Sequence, residues 1–420
     1  MRFAKPGLSS AVTIRGVCAR SKCDVFVRRA VVPFLALAIS SSPRWADASQ
    51  LLSAAVGVVD TAMTGATVAS PRGPSAAAFS NPAALTTFSN GAKSFSTAIF
   101  FGKDRVDVNT GVGRYKDDHH FVGLGPEFGV SLKGKGGWSY GFSVYGSVGA
   151  AFSHDKNPAV GVSADLFSDL TVINGALMAA YDFGNGLSLG AELSPLYGRL
   201  RVHHALVFPL SYKLEGPGIQ AMFGLRYRAS PRLKLGLGLR TPGIIWTDGS
   251  SALPTGGRQD MDMNIKMPTQ VFVGLNYDVS RRLELGLSAR FTDSSTLGDT
   301  TIEFDKSPQA NLPLVPDGND EWRVGMGAQY HFGSRLSVEG GLAWADSIVG
   351  NRGVSPLLFD ATDIRIAAGA SYDFGATTVD LMAGYALTAT RKVGTNDALV
   401  FPGTYEIGGE IIMIGIRRSI

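Results

Sequence analysis

Cysteine is almost absent: two occur in 420 residues, Cys18 and Cys23. From residue 24 onward there is no thiol to build a disulfide framework or a cysteine metal site, which suits a chain that passes through an oxidising compartment. Histidine is also scarce, at six residues (His119, His120, His154, His203, His204 and His331). None lies in a His-Glu-x-x-His or similar frame. His203 and His204 are adjacent, so on a strand they point to opposite faces and do not make a metal pair. Glycines are scattered instead of forming a phosphate-binding loop. No cofactor and no metal are therefore expected. Long apolar runs are missing too: no window beyond residue 48 holds the ~18 uninterrupted apolar residues of a membrane helix. Yet 45% of the residues are hydrophobic and 52 are glycine. Apolar content without helical spans points to many strands, each with one greasy face.

The charge excess is confined to the start. Seven basic residues precede Ala30, an apolar run covers residues 30–39, and Ser40-Ser41-Ser42-Pro43 breaks it before the small residues Ala46 and Ala48. This is the layout of a secretory signal peptide. Residues 1–46 are expected to be removed by Sec-type export, leaving a chain that begins near Asp47 or Ser49. Eight of the 39 Lys/Arg residues and one acidic residue lie in that stretch, so the whole-chain charge of +4 becomes about −3 without it. The pI of about 9.0 thus carries no argument for a nucleic-acid partner.

A turn recurs along the rest of the chain: a tyrosine, a few turn residues, then leucines alternating with small or polar residues. It begins at Tyr181, Tyr227, Tyr277, Tyr330 and Tyr372. Strands laid on either side give fourteen segments, 93–101, 122–132, 138–149, 171–182, 187–199, 213–227, 233–241, 262–277, 283–293, 321–331, 336–346, 362–373, 378–388 and 405–417. Short connections alternate with longer ones. Leu233, Leu235, Leu237 and Leu239 share one face, while Lys234, Gly236, Gly238 and Arg240 share the other. The fold class expected is all-β: a 14-stranded antiparallel transmembrane barrel with tight periplasmic turns, long outer loops and a tyrosine girdle at the inner rim. The barrel covers residues 93–420. Residues 47–92 do not read as strand, and an empty barrel of this size would leave a lumen, so they are expected to form a small N-terminal hatch inside it.

At Ala76-Ala77-Ala78-Phe79-Ser80-Asn81-Pro82-Ala83-Ala84-Leu85 this hatch resembles that of the outer-membrane long-chain fatty acid transporters, a family that includes the toluene and aromatic-hydrocarbon porins. Further similar stretches follow in order: Leu239 to Ile244, Met267-Pro268-Thr269-Gln270-Val271, and Asp363 to Tyr372. The resemblance implies passive uptake of a hydrophobic compound, most simply a long-chain fatty acid, with an aromatic hydrocarbon as the alternative. The ligand would meet the outer loops, enter a pocket above the hatch and leave sideways near the third strand. It marks Phe79, Asn81, Pro82 and Ala83 as the hatch residues. For the side opening it points to the third strand, where Gly141, Gly146 and Gly149 are available for a kink. The C-terminal Arg417-Arg418-Ser419-Ile420 departs from the terminal aromatic that barrel-assembly signals carry.

Strand alternation puts Glu192, Glu284, Glu339 and Asp380 on the lumenal row near the inner rim, and Arg240, Arg290, Arg323 and Arg365 on that row nearer the outer loops. One or more of these arginines is expected to meet the carboxylate of a descending fatty acid. The alternative is that they pair with the hatch or with other lumenal groups. The partners expected are the hydrophobic ligand, outer-membrane lipid and lipopolysaccharide, and the barrel-assembly machinery, with the protein itself a monomer. Two rival classes have distinct marks. A barrel enzyme needs a catalytic frame that the histidines do not supply. A general diffusion porin needs an open lumen, against which stand the hatch and the apolar stretches at 312–316, Val354, 357–359 and 399–401, expected to be exposed loop tips.

Overall fold

The computed structural model describes residues 53–204, 210–252, 258–304, 312–313, 317–397 and 401–419. The expected signal peptide and the first residues of the expected hatch lie outside them. Strand β1 runs Lys93–Asn109, β2 Arg114–Lys133, β3 Trp138–His154, β4 Leu166–Asp182 and β5 Leu187–His204. They are followed by β6 Leu210–Arg228, β7 Leu233–Arg240, β8 Gly243–Ala252, β9 Arg258–Met267, β10 Gln270–Asp278 and β11 Leu283–Thr292. The rest are β12 Thr301–Phe304, β13 Leu312–Pro313, β14 Glu321–Phe332, β15 Leu336–Ala345, β16 Asp363–Asp373, β17 Thr377–Thr388, β18 Arg391–Val393 and β19 Gly403–Arg418. Pro242 interrupts one stave between β7 and β8, and Pro268 another between β9 and β10, because proline has no N–H for the ladder. β12, β13 and β18 are short ladders in the connections. Fourteen staves remain, all antiparallel, and β1 closes the ring by pairing with both β2 and β19.

The wall is apolar on its outside. Leu235, Leu237 and Leu239 are 37 to 42% exposed, and Ile412, Ile414 and Ile416 on β19 likewise face out, while Glu284, Arg290, Glu339 and Asp380 are buried within. That inversion of the usual soluble pattern is what hydrocarbon around the wall demands. Near the short turns the outer surface is aromatic. Tyr181 packs on Phe183, Tyr330 on Phe332 and Tyr372 on Phe374, with ring centroids 4.7 to 4.9 Å apart. Amphipathic rings at this level suit a headgroup boundary.

Two expectations on the outer side need correction. The first outer connection is only residues 110–113, because β1 and β2 are 17 and 20 residues long, roughly twice the 9–11 residues a membrane crossing needs. Strand pairing thus continues past the lipid belt where loops were expected. The apolar positions whose burial is described are also not exposed tips: Val354, Phe359 and Phe401 are buried with Tyr115, Phe152, Ile348 and Tyr405 in one cluster, while residues 314–316 lie outside the described residues. Apolar side chains in water gain more by covering one another than by waiting for a ligand. Leu399 and Val400 lie outside the described residues.

Residues 53–92 run through the inside of the ring. They form helix α1 (Val58–Ala62), helix α2 (Pro74–Ser80) and a 3-10 turn (Pro82–Thr87). Their backbone touches the wall where the wall has no side chains. A Cβ at Gly286 would stand 2.0 Å from the carbonyl oxygen of Ala66, one at Gly238 2.1 Å from that of Ser80, and one at Gly190 2.4 Å from the nitrogen of Ala83. Gly129 and Gly327 meet the backbone of Ser75 and Met63 in the same way, and Gly369 and Gly415 meet the side chains of Ala62 and Val58, so the contacts go right round the barrel. Much of the glycine in this composition is therefore room for the interior segment.

Gly286→Val is expected to dislodge that segment. In planar bilayers its steady ion conductance should rise well above that of the unaltered protein. Gly340→Val, where the nearest atom to an added Cβ is 3.6 Å away, should leave conductance unchanged.

Candidate functional site: the interrupted seam between β2 and β3

Long as they are, β2 and β3 share a ladder of only six pairs, from Lys133 opposite Ser139 to Phe128 opposite Val144. Two local features end it. Pro126 takes an N–H out of β2 just beyond the last pair. In β3 the register against β4 shifts between Gly146 and Val148, so Ser147 is an extra residue, a β-bulge. Beyond the bulge β3 is buried on both faces. Ala151, on the face that would otherwise meet lipid, is 5% exposed and packs against Phe121 of the inner row of β2. The outer half of β3 therefore runs on the lumenal side of β2, and the wall is held there without a backbone ladder.

The interior segment meets this gap. Ser53 donates its N–H to the carbonyl of Ser147 and its Oγ–H to that of Gly146, both at 3.0 Å. Its own carbonyl accepts from Arg290 at 2.7 Å, and Arg290 is fixed in turn by Glu321 at 3.0 Å. Next to these contacts lies a cavity of roughly 1040 Å³ including its mouth, bounded by residues 53–56, the bulge, and strands β1, β2, β16, β17 and β19. Its wall is mostly apolar, with Val56, Phe100, Val148 and Ile366, and its polar groups are Glu127, Arg323, Arg365 and Glu410. Glu127 is buried and accepts from Gly57 N–H at 3.0 Å and from the hydroxyl of Ser96, which ties β2 to the start of α1. An apolar enclosure with a few convergent polar groups is the form of a small-molecule site.

The residues singled out from sequence separate into two groups. Asn81 is wholly buried; its Nδ2 donates to the carbonyls of Val68 and Leu225, each at 3.0 Å, and its Oδ1 accepts from Ala83 N–H at 3.2 Å. It caps the 3-10 turn and brackets it to β6. Pro82 and Ala83 press on Gly190 and Gly224, and Phe79 stands edge-on between Tyr145 and Phe272. These four hold the interior segment in place and do not line the cavity. Arg240 donates to the carbonyls of Ala78 and Phe79 and to the Tyr145 hydroxyl, with Glu192 3.6 Å away, so it too serves the segment, as Arg290 does. Arg323 and Arg365 border the cavity, Arg323 resting on Glu321 and Arg365 on Asp363. Gly146 and Gly149 lie at the bulge and on the cavity wall. Gly141 instead meets Leu85, where an added Cβ would come within 2.9 Å. Sequence reasoning passed over Pro126, Glu127, Ser147 and Ser53. The Gly125-Pro126 pair inside a strand was the available signal. His119, His154 and His203, expected in loops, stand on the outer reaches of β2, β3 and β5, because those strands extend beyond the membrane belt.

Fold and site together define a closed fourteen-stranded barrel with an apolar outer face, filled from within and interrupted on one side. Among the described residues no helix is long and apolar enough to cross a membrane. Residues 217–407 match the family model of the outer membrane protein transport proteins (OMPP1/FadL/TodX), the group whose motifs the sequence resembles. Comparison with curated proteins finds no match. Among solved structures, a Pseudomonas aeruginosa FadL homologue aligns over 88% of this chain and 99% of its own at TM-score 0.78 and 14% identity. The Pseudomonas putida toluene transporter TodX aligns over 89% and 100% at 0.66 and 16%, and the Ralstonia pickettii toluene transporter TbuX over 87% and 99% at 0.64 and 18%. At these identities the likeness is one of fold.

Within the interior segment, Asp60 is fully enclosed, accepts from Thr67 Oγ1 at 2.5 Å and from Arg72 N–H at 3.2 Å, and burial pushes its pKa from the ordinary 3.8 up to about 6. A carboxyl whose folded value is raised binds its proton more tightly when folded, so stability falls as pH rises from about 4 through about 6. Thermal unfolding in detergent should show the unaltered protein losing stability across that window. Asp60→Asn should be flatter there and gain about 1–3 kcal/mol relative to it at neutral pH.

Proposed function

We propose that this protein is a passive outer-membrane channel for small hydrophobic compounds, with residues 53–92 as the hatch and the β2 and β3 seam as the way out to lipid. The observation that carries this reading is the apolar cavity lying against a stretch of wall, between β2 and β3, that lacks a backbone ladder. An apolar solute gains nothing by crossing water on the periplasmic side. It gains about 25 cal/mol per Å² on entering hydrocarbon, so a sideways exit is downhill. No bond has to be made or broken, and the reading is that of a channel and not of an enzyme. The Asn81 bracket and the glycine contacts explain why the lumen is not an open pore: the hatch is fitted to the wall instead of lying loosely in it.

We take the ligand to be a long-chain fatty acid. Arg323 and Arg365 stand at the cavity while Arg240 and Arg290 are turned to the hatch, so the first two are the guanidinium groups placed for a carboxylate. The toluene transporters among the structural relatives favour an aromatic hydrocarbon as the second reading. Outer-membrane lipid and lipopolysaccharide around a single barrel, and the barrel-assembly machinery during biogenesis, complete the partners we propose.

The two readings part on a charge. With purified protein, Arg365→Ala and Arg323→Ala should each weaken oleate binding by about tenfold, the ~1.4 kcal/mol end of a charged hydrogen bond, and leave toluene binding unchanged. Toluene binding without oleate binding would select the aromatic reading, and binding of neither would remove the channel function proposed here.

A further inference from the structure

Past the bulge, the outer half of β3 is held to its neighbours by a chain of ionisable side chains. His154, wholly buried, directs Nδ1 at Asp117 Oδ2 of β2 at 3.1 Å and Nε2 at Asp104 Oδ1 of β1 at 3.3 Å. The other oxygen of Asp104, also wholly buried, faces Nδ1 of His119 at 3.2 Å. Asp117 further accepts from the backbone N–H of Asp155 at 3.1 Å, and the Tyr115 hydroxyl donates to the carbonyl of Asp155 at 2.6 Å. These contacts sit where the β2 and β3 ladder is missing, so they do across the gap what backbone hydrogen bonds do elsewhere in the wall.

The chemistry of this clasp depends on one proton. A neutral imidazole carries a single N–H, and its other ring nitrogen is a lone pair. Both ring nitrogens of His154 face carboxylate oxygens, Nδ1 in hydrogen-bonding geometry with Asp117 and Nε2 at ion-pairing distance from Asp104 without a hydrogen bond, so the imidazolium is the form that suits both neighbours. Removing the proton turns one of the two contacts into lone pair against carboxylate inside a buried site, where an unpaired charge is costly. We propose that His154 is a proton-sensitive clasp: protonated, it holds the outer half of β3 under β2, and deprotonated, it lets the seam loosen. The titratable groups around it are Asp104 on β1, Tyr115, Asp117 and His119 on β2, Asp155 and Lys156 just past β3, and Asp165 just before β4, which accepts from Lys156 N–H. His119 shares Asp104 with His154, the two rings being 6.4 Å apart, so it supports the clasp from the side away from the gap. Tyr115 and Phe152 of the outer apolar cluster pack close by, and motion of β3 would therefore also shift the surface a ligand meets first.

The test reads the seam directly and needs no ligand, so it stands apart from the channel function. Amide hydrogen exchange over residues 145–154 is followed by mass spectrometry on the full-length protein in detergent at about pH 5.5 and about pH 8, and corrected for the intrinsic pH dependence of exchange. In the unaltered protein the corrected rate should rise about tenfold at the higher pH, matching loss of ~1.4 kcal/mol of local closure. His154→Gln always offers one donor and one acceptor, and should give the same corrected rate at both pH values. Asp117→Asn keeps the shape of the site and should blunt the change, with gel mobility before and after heating confirming a folded barrel for each. An unaltered protein with no pH effect, or a folded His154→Gln protein that keeps the full effect, would overturn the clasp.

Discussion

A backbone amide in hydrocarbon has no water to bond, and the rest of this molecule follows from that constraint. It forces the chain into strands, closes the strands into a ring by pairing β1 with β19, and turns the greasy side chains outward. It also makes any lapse in the ladder expensive where lipid can reach it. The missing ladder between β2 and β3 is tolerated because β3 steps inward at Ser147 and is covered there: Ala151 lies under Phe121, and Ser53 takes up the carbonyls of Gly146 and Ser147. The gap is thus a place where protein groups that can move replace backbone bonds that cannot. A hydrophobic solute needs just such a place in the wall.

The same constraint shapes the interior. A ring of fourteen strands is wider than its side chains can fill, so something must occupy it if it is not to conduct. The glycines at 190, 238 and 286 let the backbone of residues 53–92 approach the wall closely, and the arginines at 240 and 290 donate to backbone carbonyls that this irregular segment would otherwise bury unpaired. Two of the four lumenal arginines are therefore absorbed by the cost of burying a non-helical backbone. The other two, at 323 and 365, stay beside the cavity, already leaning on Glu321 and Asp363. A ligand carboxylate there would join an existing set of charges, which favours exchange over permanent capture.

How far the sequence could be read depended on the range of the interactions involved. The rows Leu235, Leu237, Leu239 and Glu284, Arg290 were legible because alternation is a two-residue property, and it places every lumenal charge on the correct face. The partner of each charge was not legible, since Arg240 meets Phe79 across 161 positions of chain and nothing local announces it. Strand ends were misread for a related reason. The stretch before Val122 is polar, and neither it nor the stretch after Gly149 alternates, yet both are strand because a neighbour pairs with them beyond the membrane. Pro126 stood in plain view, but its meaning depends on which neighbour loses the hydrogen bond.

The interruption and the hatch belong to one device. Ser53 is a donor to the bulge and an acceptor for Arg290, so the chain segment that blocks the lumen is also the one that closes the side. Displacing it would open the cavity towards both at once, which would leak ions unless the remainder of the hatch stayed put. That remainder is held by different groups: Asn81 on Leu225, Asp60 on Thr67 and Arg72, and Arg417 on Arg72 and Asp380. The molecule separates a short start, tied through Ser53, from a body bracketed by several other groups. On the function proposed above, an apolar molecule would pass sideways through the first without releasing the second, and so without the barrel becoming a pore.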